Sequence, residues 1–305
     1  MSGDEKWLDQ FDNNKTGWYF QPAAKLGEDQ PATVPSSVLK LIEPFHVLWQ
    51  EPEPAGKILY LTFDEGYEYK ELSDVVLNVL KEKNVAASFF ITGSYLRHNP
   101  ERVQRMAEDG HLVLNHTDTH PNLVDLLATQ GSDAVLEELR LVETAFTELT
   151  GRQMPRIIRP PEGSYSERVL ALLDRAGYTV AFWSFAYRDW LTDEQPDPQQ
   201  ALDKILGNLH PGSVILLHAV SATNGVILPE LIDTARARGY TFELVHEEHH
   251  RLFAAKKKAA SLHNKQITAL QKKMCRFFEK NNLHLTLICY RILLARLCRA
   301  DPACT

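Results

Sequence analysis

The segment Lys57 to Glu68, KILYLTFDEGYE, constrains the fold more than any other part of the chain. Its residues 58–63 are apolar, aromatic or β-branched, which is typical of a strand buried on both faces of a parallel sheet. Two carboxylates, Asp64 and Glu65, follow directly, and Gly66 then permits a tight turn. Carboxylates at the end of a buried strand are costly unless a charge partner, a metal or a reaction uses them. We therefore expect the functional site at this strand end.

Strand and helix patterns alternate along the rest of the chain. The predicted strands lie near residues 58–63, 86–92, 111–115, 156–159, 179–184, 213–218 and 241–245. The predicted helices lie near residues 36–42, 72–80, 103–107, 133–149, 167–176, 198–209 and 229–238. Because no hairpin signal joins the strands, the alternation predicts an α/β fold with a parallel sheet. Seven short strands in one segment favour a closed or nearly closed barrel, and an open doubly wound sheet is the structural alternative.

Charge and cysteine content are unevenly distributed. The net charge is −7, but residues 251–305 carry a balance of +10 and residues 1–250 one of −17. The acidic body argues against a nucleic-acid partner. The tail is compatible with a basic amphipathic helix on a surface, with a packed C-terminal helix, or with an altered sequence end. All four cysteines lie in the tail without zinc-ribbon spacing: Cys275, Cys289, Cys298 and Cys304.

These observations divide the chain into three expected segments. An irregular N-terminal extension covers residues 1–56, a domain expected to carry the functional site covers residues 57–250, and a basic, cysteine-containing helical tail covers residues 251–305. The N-terminus shows no basic segment followed by an apolar run, so no secretory signal is visible.

Polar residues follow the predicted strands at their C-terminal ends. They are Asp64 and Glu65 after the first strand, His116 and His120 after the third, Arg159 at the end of the fourth, Asp189 and Trp190 after the fifth, and His218 at the end of the sixth. In a parallel barrel these positions share one face, where such folds place their active sites. Two neutral histidines with a carboxylate form a frequent zinc or transition-metal site, although a lone histidine pair is more often structural. The strand-end position of His218 favours an acid/base role over that of a core histidine.

Five motifs, TFDEGYE, HTDTH, RPPEG, FWSFAYRDW and LLH, occur in this order. They resemble the polysaccharide deacetylase family (NodB-homology domain, carbohydrate esterase family 4) over about residues 57–245. The segments GYE, FWS and LLHAVS are similar to the delta-lactam-biosynthetic branch, which deacetylates N-acetylmuramic acid of peptidoglycan on the way to the muramic lactam of spore cortex. The resemblance implies a distorted (β/α) barrel, an N-acetylated glycan substrate and an extracellular or wall-associated location. We expect a monomer.

The resemblance also implies a role for each motif residue. Metal-assisted attack of water on the amide would use a divalent ion, zinc foremost and otherwise cobalt or manganese. The implied roles are general base for Asp64, its orientation for Arg159, metal ligation for His116, His120 and Glu65, oxyanion binding for the Glu162 N–H, leaving-group protonation for His218, and an apolar wall for Trp190 and Leu216.

Two departures from the family pattern affect this transfer. Most members carry Asp at the position of Glu65, and the muramic branch often carries Asn. Many relatives also carry, in place of Ala186, an Asp that orients the catalytic histidine. The group that orients His218 is therefore left open, and Asp189 is expected to pair with Arg159.

Three alternative functions remain at this stage. The enzyme could instead deacetylate N-acetylglucosamine polymers, or the chain could be a glycan-binding pseudoenzyme. The segment HEEHH, residues 246–250, formally matches the HExxH motif of zinc proteases. That motif requires a helix, and here it follows a strand pattern, which argues against it.

Overall fold

The computed structural model describes residues 6–23, 25–52 and 54–246. The strands in these ranges are β1 (Thr16–Gly17), β2 (Val47–Leu48), β3 (Ile58–Glu65), β4 (Ser88–Ile91), β5 (Leu112–Asn115), β6 (Ile157–Ile158), β7 (Ser164–Tyr165), β8 (Thr179–Ala181), β9 (Ser213–Leu217) and β10 (Thr241–Glu243). The helices are α1 (Ser36–Ile42), α2 (Leu72–Glu82), α3 (Gly93–His98), α4 (Pro100–Glu108), α5 (Leu123–Gln130), α6 (Ser132–Thr150), α7 (Glu167–Arg175), α8 (Pro198–Gly207) and α9 (Ala222–Ala237).

Strand β3 is the centre of an eight-stranded sheet. It pairs in parallel with β4, β9 and β10, and the sheet continues from β4 through β5, β6 and β8 to β2. All seven predicted strands are present, and every pairing in this sheet is parallel, as expected. The eighth strand, β2, comes from the N-terminal extension, whose sequence pattern suggests an irregular segment.

The sheet curls so that the chain beyond β8 meets β9. The Ser184 and Phe185 N–H groups both donate to the Val214 carbonyl, and the Leu216 N–H donates to the Phe185 carbonyl. This parallel bridge between Phe185 and Ile215 connects the segment after β8 to β9, which pairs with β3, and so closes the curl of the sheet. The distorted (β/α) barrel is therefore confirmed, and the open doubly wound sheet is excluded.

The pleat of β3 divides its side chains between two cores. Leu59, Leu61 and Phe63 pack in the cluster under α2, α8 and α9, whereas Ile58 and Tyr60 pack in the small cluster enclosed by the strands. Successive residues of a strand point to opposite faces, so Asp64 continues the enclosed row and Glu65 continues the row under the helices.

Capping groups explain where two helices differ from expectation. The sequence pattern predicts a start at Pro229 for helix α9, but the helix begins at Ala222 because the Ser221 hydroxyl accepts the Asn224 N–H and caps it. Pro229 lies inside this helix. Helix α6, predicted near residues 133–149, begins one residue earlier, after Gly131 at its N-cap, and ends before Gly151, which lies in the left-handed region.

The N-terminal extension packs against the barrel through aromatic contacts. Trp18 stacks on Phe182 with ring centroids 4.3 Å apart, and its indole N–H donates to the Trp183 carbonyl. Strand β1 pairs antiparallel with β7. In the described ranges, no helix combines the length and apolarity needed to cross a membrane. The tail predicted for residues 251–305, its four cysteines and the HEEHH segment beyond His246 lie outside the described residues.

Candidate active site

Four predicted site residues lie on the enclosed face at the C-terminal ends of four strands. Leu112 and Leu114 of β5, Ile157 of β6 and Val214 of β9 all pack inside the strand ring. Alternate residues of a strand point to the same face, so His116, Arg159 and His218, which lie two or four residues further along these strands, point to the enclosed face as well. Asp64 occupies the equivalent position on β3. The alternation of the strands thus directs an acid, a guanidinium and two imidazoles towards one mouth of the barrel.

Asp64 is paired with the buried Arg159. Arg159 Nη1 donates to Asp64 Oδ1 at 2.6 Å, and Arg159 is fully buried. The other guanidinium nitrogens are directed at the carbonyls of Ala181 and Phe182, each at 3.3 Å, and the Phe90 ring lies 4.0 Å below the guanidinium. Burial acts to raise the pKa of Asp64, but the charge of Arg159 in the first place outweighs it and lowers the pKa. Asp64 is therefore held as a carboxylate.

His116 presents a free ring nitrogen to Asp64. Its Nδ1–H donates to the Arg159 carbonyl at 2.7 Å, which leaves the lone pair on Nε2. Nε2 lies 3.7 Å from Asp64 Oδ2, and the ring centroid of His120 lies 4.9 Å from that of His116. Burial lowers the pKa of His116 to about 4, against the opposing charge of Asp64. His116 is therefore a neutral imidazole, the form that ligates metals.

The turn that carries both histidines is strained and firmly held. Thr117 and His120 have φ values of 69° and 60°, in the left-handed region that β-branched residues avoid. The Asn115 side chain accepts the Thr117 N–H at 2.9 Å and donates to the Leu139 carbonyl. The Thr117 hydroxyl in turn accepts the His120 N–H. Such strain persists where surrounding contacts impose it, and it is frequent at functional sites.

His218 is oriented by Asp189, which corrects one prediction from the sequence. Asp189 is fully buried; its Oδ1 lies 2.7 Å from His218 Nδ1, and its Oδ2 accepts the His218 backbone N–H at 2.9 Å. The expected pairing of Asp189 with Arg159 is wrong, because Arg159 pairs with Asp64 instead. Burial opposes the charged imidazole, but Asp189 outweighs it and raises the pKa of His218. Asp189 supplies the carboxylate of this pair.

Sequence reasoning missed Asn224, which lies on the other side of Asp189. Its Nδ2 donates to Asp189 Oδ2 at 2.6 Å and to the His218 carbonyl at 3.0 Å. Asn224 lies in the first turn of α9, six residues after His218. Recognition of Ser221 as a helix cap would have placed Asn224 beside the strand end that carries His218.

Glu65 is not grouped with the histidines. It is fully buried on the helix-covered face of β3, and neither carboxylate oxygen has a hydrogen-bond partner. Burial, and then the charges of Glu68 and Asp64, raise the pKa of Glu65 well above its ordinary range. The nearby Ala219 N–H acts in the opposite direction, but it makes no hydrogen bond to either oxygen. In the described part of the chain, no three His, Cys, Asp or Glu side chains converge on a point suited to a metal ion.

The remaining predicted residues lie around the mouth of the barrel. Glu162 has a φ of 61°, and its side chain accepts from Asn122 Nδ2 at 2.9 Å. Trp190 is half exposed, with its ring centroid 5.8 Å from that of His218. Leu216 of β9 is buried.

Comparison with known proteins identifies the family. A family model described as "Polysaccharide deacetylase" matches residues 51–181. The peptidoglycan-N-acetylmuramic acid deacetylase PdaA of Bacillus subtilis is 33% identical over 245 residues, which are 80% of this chain and 90% of that protein. The chain belongs to the polysaccharide deacetylase family. This family, also termed carbohydrate esterase family 4, comprises hydrolases that act on N-acetyl amide bonds.

Two further comparisons support this membership. An uncharacterized 30.6 kDa protein of Geobacillus stearothermophilus is 40% identical over 231 residues, covering 76% of this chain and 84% of that protein. The solved structure of Bacillus subtilis PdaA, described as a family 4 carbohydrate esterase, superimposes with a TM-score of 0.70 and 34% identity. That match covers 76% of this chain and 96% of the PdaA chain.

Deacetylases of the family are metal-dependent. The residues on the enclosed face offer donors to a divalent ion, although those in the described ranges do not form a complete three-ligand group. His116 is neutral with its Nε2 lone pair free, the His120 ring is adjacent, and the Asp64 carboxylate lies on the same side of His116. Nitrogen and carboxylate donors of this kind suit zinc and its neighbours in the transition series.

Proposed function

We propose that this chain hydrolyses the N-acetyl group of N-acetylmuramic acid residues in peptidoglycan, as a step towards the muramic lactam of spore cortex. The observation that carries the proposal is that two ion pairs, Asp64–Arg159 and His218–Asp189, lie on one face of the barrel. Asp64 is held as a carboxylate by Arg159, and His218 is held with a raised pKa by Asp189. Amide hydrolysis needs one group that takes a proton from water and one that gives a proton to the amine.

Asp64 is the group that accepts the proton. As water attacks the acetyl carbonyl carbon, a C–O bond forms and the water proton passes to Asp64 Oδ2, since Oδ1 is engaged by Arg159. Arg159 holds the carboxylate through the buried 2.6 Å contact and prevents it from turning away. The carbonyl oxygen becomes an oxyanion, and we assign the Glu162 backbone N–H to stabilise it.

His218 is the group that donates the proton. When the tetrahedral carbon collapses, the C–N bond breaks and the amine nitrogen takes a proton from His218 Nε2. This nitrogen is available because Nδ1 is engaged by Asp189. The products are acetate and the free sugar amine. The Trp190 ring lies beside His218, and Leu216 lies two residues before His218 on β9. Both would contact the acetyl methyl group.

His116 and His120 would hold the metal. The ion, which we propose to be zinc, with cobalt or manganese as alternatives, would polarise the acetyl carbonyl and lower the pKa of the attacking water. The Arg159 carbonyl fixes the His116 ring with Nε2 outward, so the ligand geometry depends on the same residue that holds Asp64.

The remaining expectations accompany this proposal. We assign residues 57–250 as the catalytic domain, residues 1–56 as an extension and residues 251–305 as a basic tail. A wall substrate implies an extracellular or wall-associated enzyme. The chain would act as a monomer, and the tail would account for any association with anionic surfaces.

Acetate release from defined glycans tests the proposal. Purified chain would be incubated with peptidoglycan strands, with or without their peptides, and with N-acetylglucosamine oligomers, in the presence of zinc, cobalt, manganese or chelator. We expect metal-dependent release from the N-acetylmuramic acid residues, with Asp64→Asn inactive and still folded. Release only from N-acetylglucosamine would favour the alternative substrate class. Glycan binding without release from any substrate would indicate a binding protein and refute the enzymatic proposal.

A further inference from the structure

Asp189 is held by a buried hydrogen-bond network that extends beyond the catalytic motifs. Its Oδ1 faces His218 Nδ1, while its Oδ2 accepts from both the His218 backbone N–H and Asn224 Nδ2. Asn224 is fully buried, and its Oδ1 accepts the hydroxyl of Tyr187. The series Tyr187, Asn224, Asp189, His218 therefore links the loop after β8, helix α9 and the end of β9.

Hydrogen bonds at both the oxygen and the nitrogen of the Asn224 amide fix its orientation. The Tyr187 hydroxyl donates to one end of the amide, so the other end must present its N–H groups. These reach the Asp189 carboxylate at 2.6 Å and the His218 carbonyl at 3.0 Å. Because one amide contacts both members of the pair, it fixes the position of the carboxylate relative to the strand that carries the imidazole.

We propose that Asn224 is a positioning residue for the His218–Asp189 pair, and that Tyr187 sets the Asn224 amide in its donating orientation. The inference rests on the proposed function, in which His218 protonates the leaving amine. The Asn224 amide restrains Asp189, the acid that contacts His218 directly.

Other charged groups near His218 lie on different elements and would remain in the variants. Asp64 of β3 acts to raise the pKa of His218, and Arg159, which follows β6, acts to lower it. From helix α9, Asn224 is the uncharged group in contact with the pair. Replacement of Asn224 therefore changes the position of Asp189 without changing the formal charge around the imidazole.

Nitrogen-15 NMR of the histidine ring tests the proposal without reference to activity. In the wild-type chain we expect the His218 ring to carry its proton on Nδ1 and to titrate above an ordinary histidine. In Asn224→Ala the Asp189 contact loosens, and the pKa of His218 falls. Tyr187→Phe, which removes one hydroxyl, should produce a smaller shift in the same direction. His218→Gln assigns the resonance.

Kinetics provide the second measurement. We expect Asn224→Ala to lower kcat by roughly 10- to 100-fold, as is typical for a residue supporting a catalytic group, while KM stays within about 2-fold. The high-pH limb of the rate profile should move to lower pH, because His218 must be protonated to act. Tyr187→Phe should again be intermediate.

Thr223→Val is the matched control. Thr223 is next to Asn224 in α9, and the substitution removes the part-buried 2.7 Å hydrogen bond that its hydroxyl donates to the Pro196 carbonyl, without touching Asp189. It should reduce stability and leave kcat and the His218 titration unchanged. If Asn224→Ala and Tyr187→Phe also leave the His218 titration unchanged, the positioning role is refuted. If the wild-type chain releases no acetate but its His218 responds as described, the proposed function fails and the positioning role stands.

Discussion

Replacement of Glu65 by Gln should stabilise the protein, and increasingly so as the pH rises. Glu65 is fully buried beneath the helices, both of its oxygens lack hydrogen-bond partners, and Glu68 and Asp64 add negative charge nearby. A carboxylate in such a place is unfavourable, whereas a protonated carboxyl or an amide of the same size is tolerated. Glu65→Gln keeps the size and shape of the side chain, and the amide cannot ionise.

The sign and size of the effect follow from proton linkage. The pKa of Glu65 is raised in the folded state above its ordinary value of 4.5, so the folded chain binds a proton that the unfolded chain releases. Wild-type stability therefore falls as the pH rises from the unfolded pKa towards the folded one. The slope is up to about 1.4 kcal/mol per pH unit, and Glu65→Gln removes it. Below the unfolded pKa, the two proteins should be nearly equal in stability.

Urea denaturation at several pH values between 4 and 8, with chelator present, measures the free energy of unfolding of both proteins. The difference in this free energy between variant and wild type should widen steadily with pH. Glu68→Gln, at a residue that already interacts with Arg102, is the matched control, and its gap should be smaller. A gap that is independent of pH would refute the buried, proton-binding state of Glu65. A loss of metal affinity in Glu65→Gln would show instead that Glu65 ligates the ion.

Three further substitutions test the contacts around the site. Arg159→Lys keeps the charge but loses the planar fork, and should cost about 2 kcal/mol in urea unfolding as well as most of the acetate release. Gly93→Ala places a methyl group against Asp118 Oδ1, well inside van der Waals contact, and should destabilise by about 1–3 kcal/mol, measured by urea midpoint. Trp18→Ala should cost about 3–5 kcal/mol, whereas Tyr19→Ala, at an exposed neighbour, should change stability by less than about 0.5 kcal/mol.

The strands could be predicted from sequence because their signal is local. Each is a short apolar run, and the residue after each run falls at the same end of a parallel sheet. This pattern is sufficient to place Asp64, His116, Arg159 and His218 together from the sequence alone. The eighth strand, β2, has only two residues and is recognisable only by its pairing with β8. A pattern that short carries too little periodicity to be distinguished from a loop.

The pairing of the polar residues could not be predicted, because it depends on the loops. Asp189 lies eight residues beyond the end of β8, in a segment with no periodic pattern. Its direction is set by Asn224 and the His218 backbone, which the sequence places 35 and 29 residues away. Motif order favours Arg159 as the partner of Asp189, and only the folded path of this loop shows that the partner is His218.

The two acids that end β3 illustrate what strand periodicity can decide. Asp64 and Glu65 are adjacent in sequence, but the pleat sends the first towards the enclosed mouth with Arg159 and His116, and the second under the helices with Glu68. Because burial favours the neutral form of Glu65, this position presents no charge to the mouth of the barrel. The ligands available on the enclosed face are then the two histidines, with Asp64 free to serve as the base.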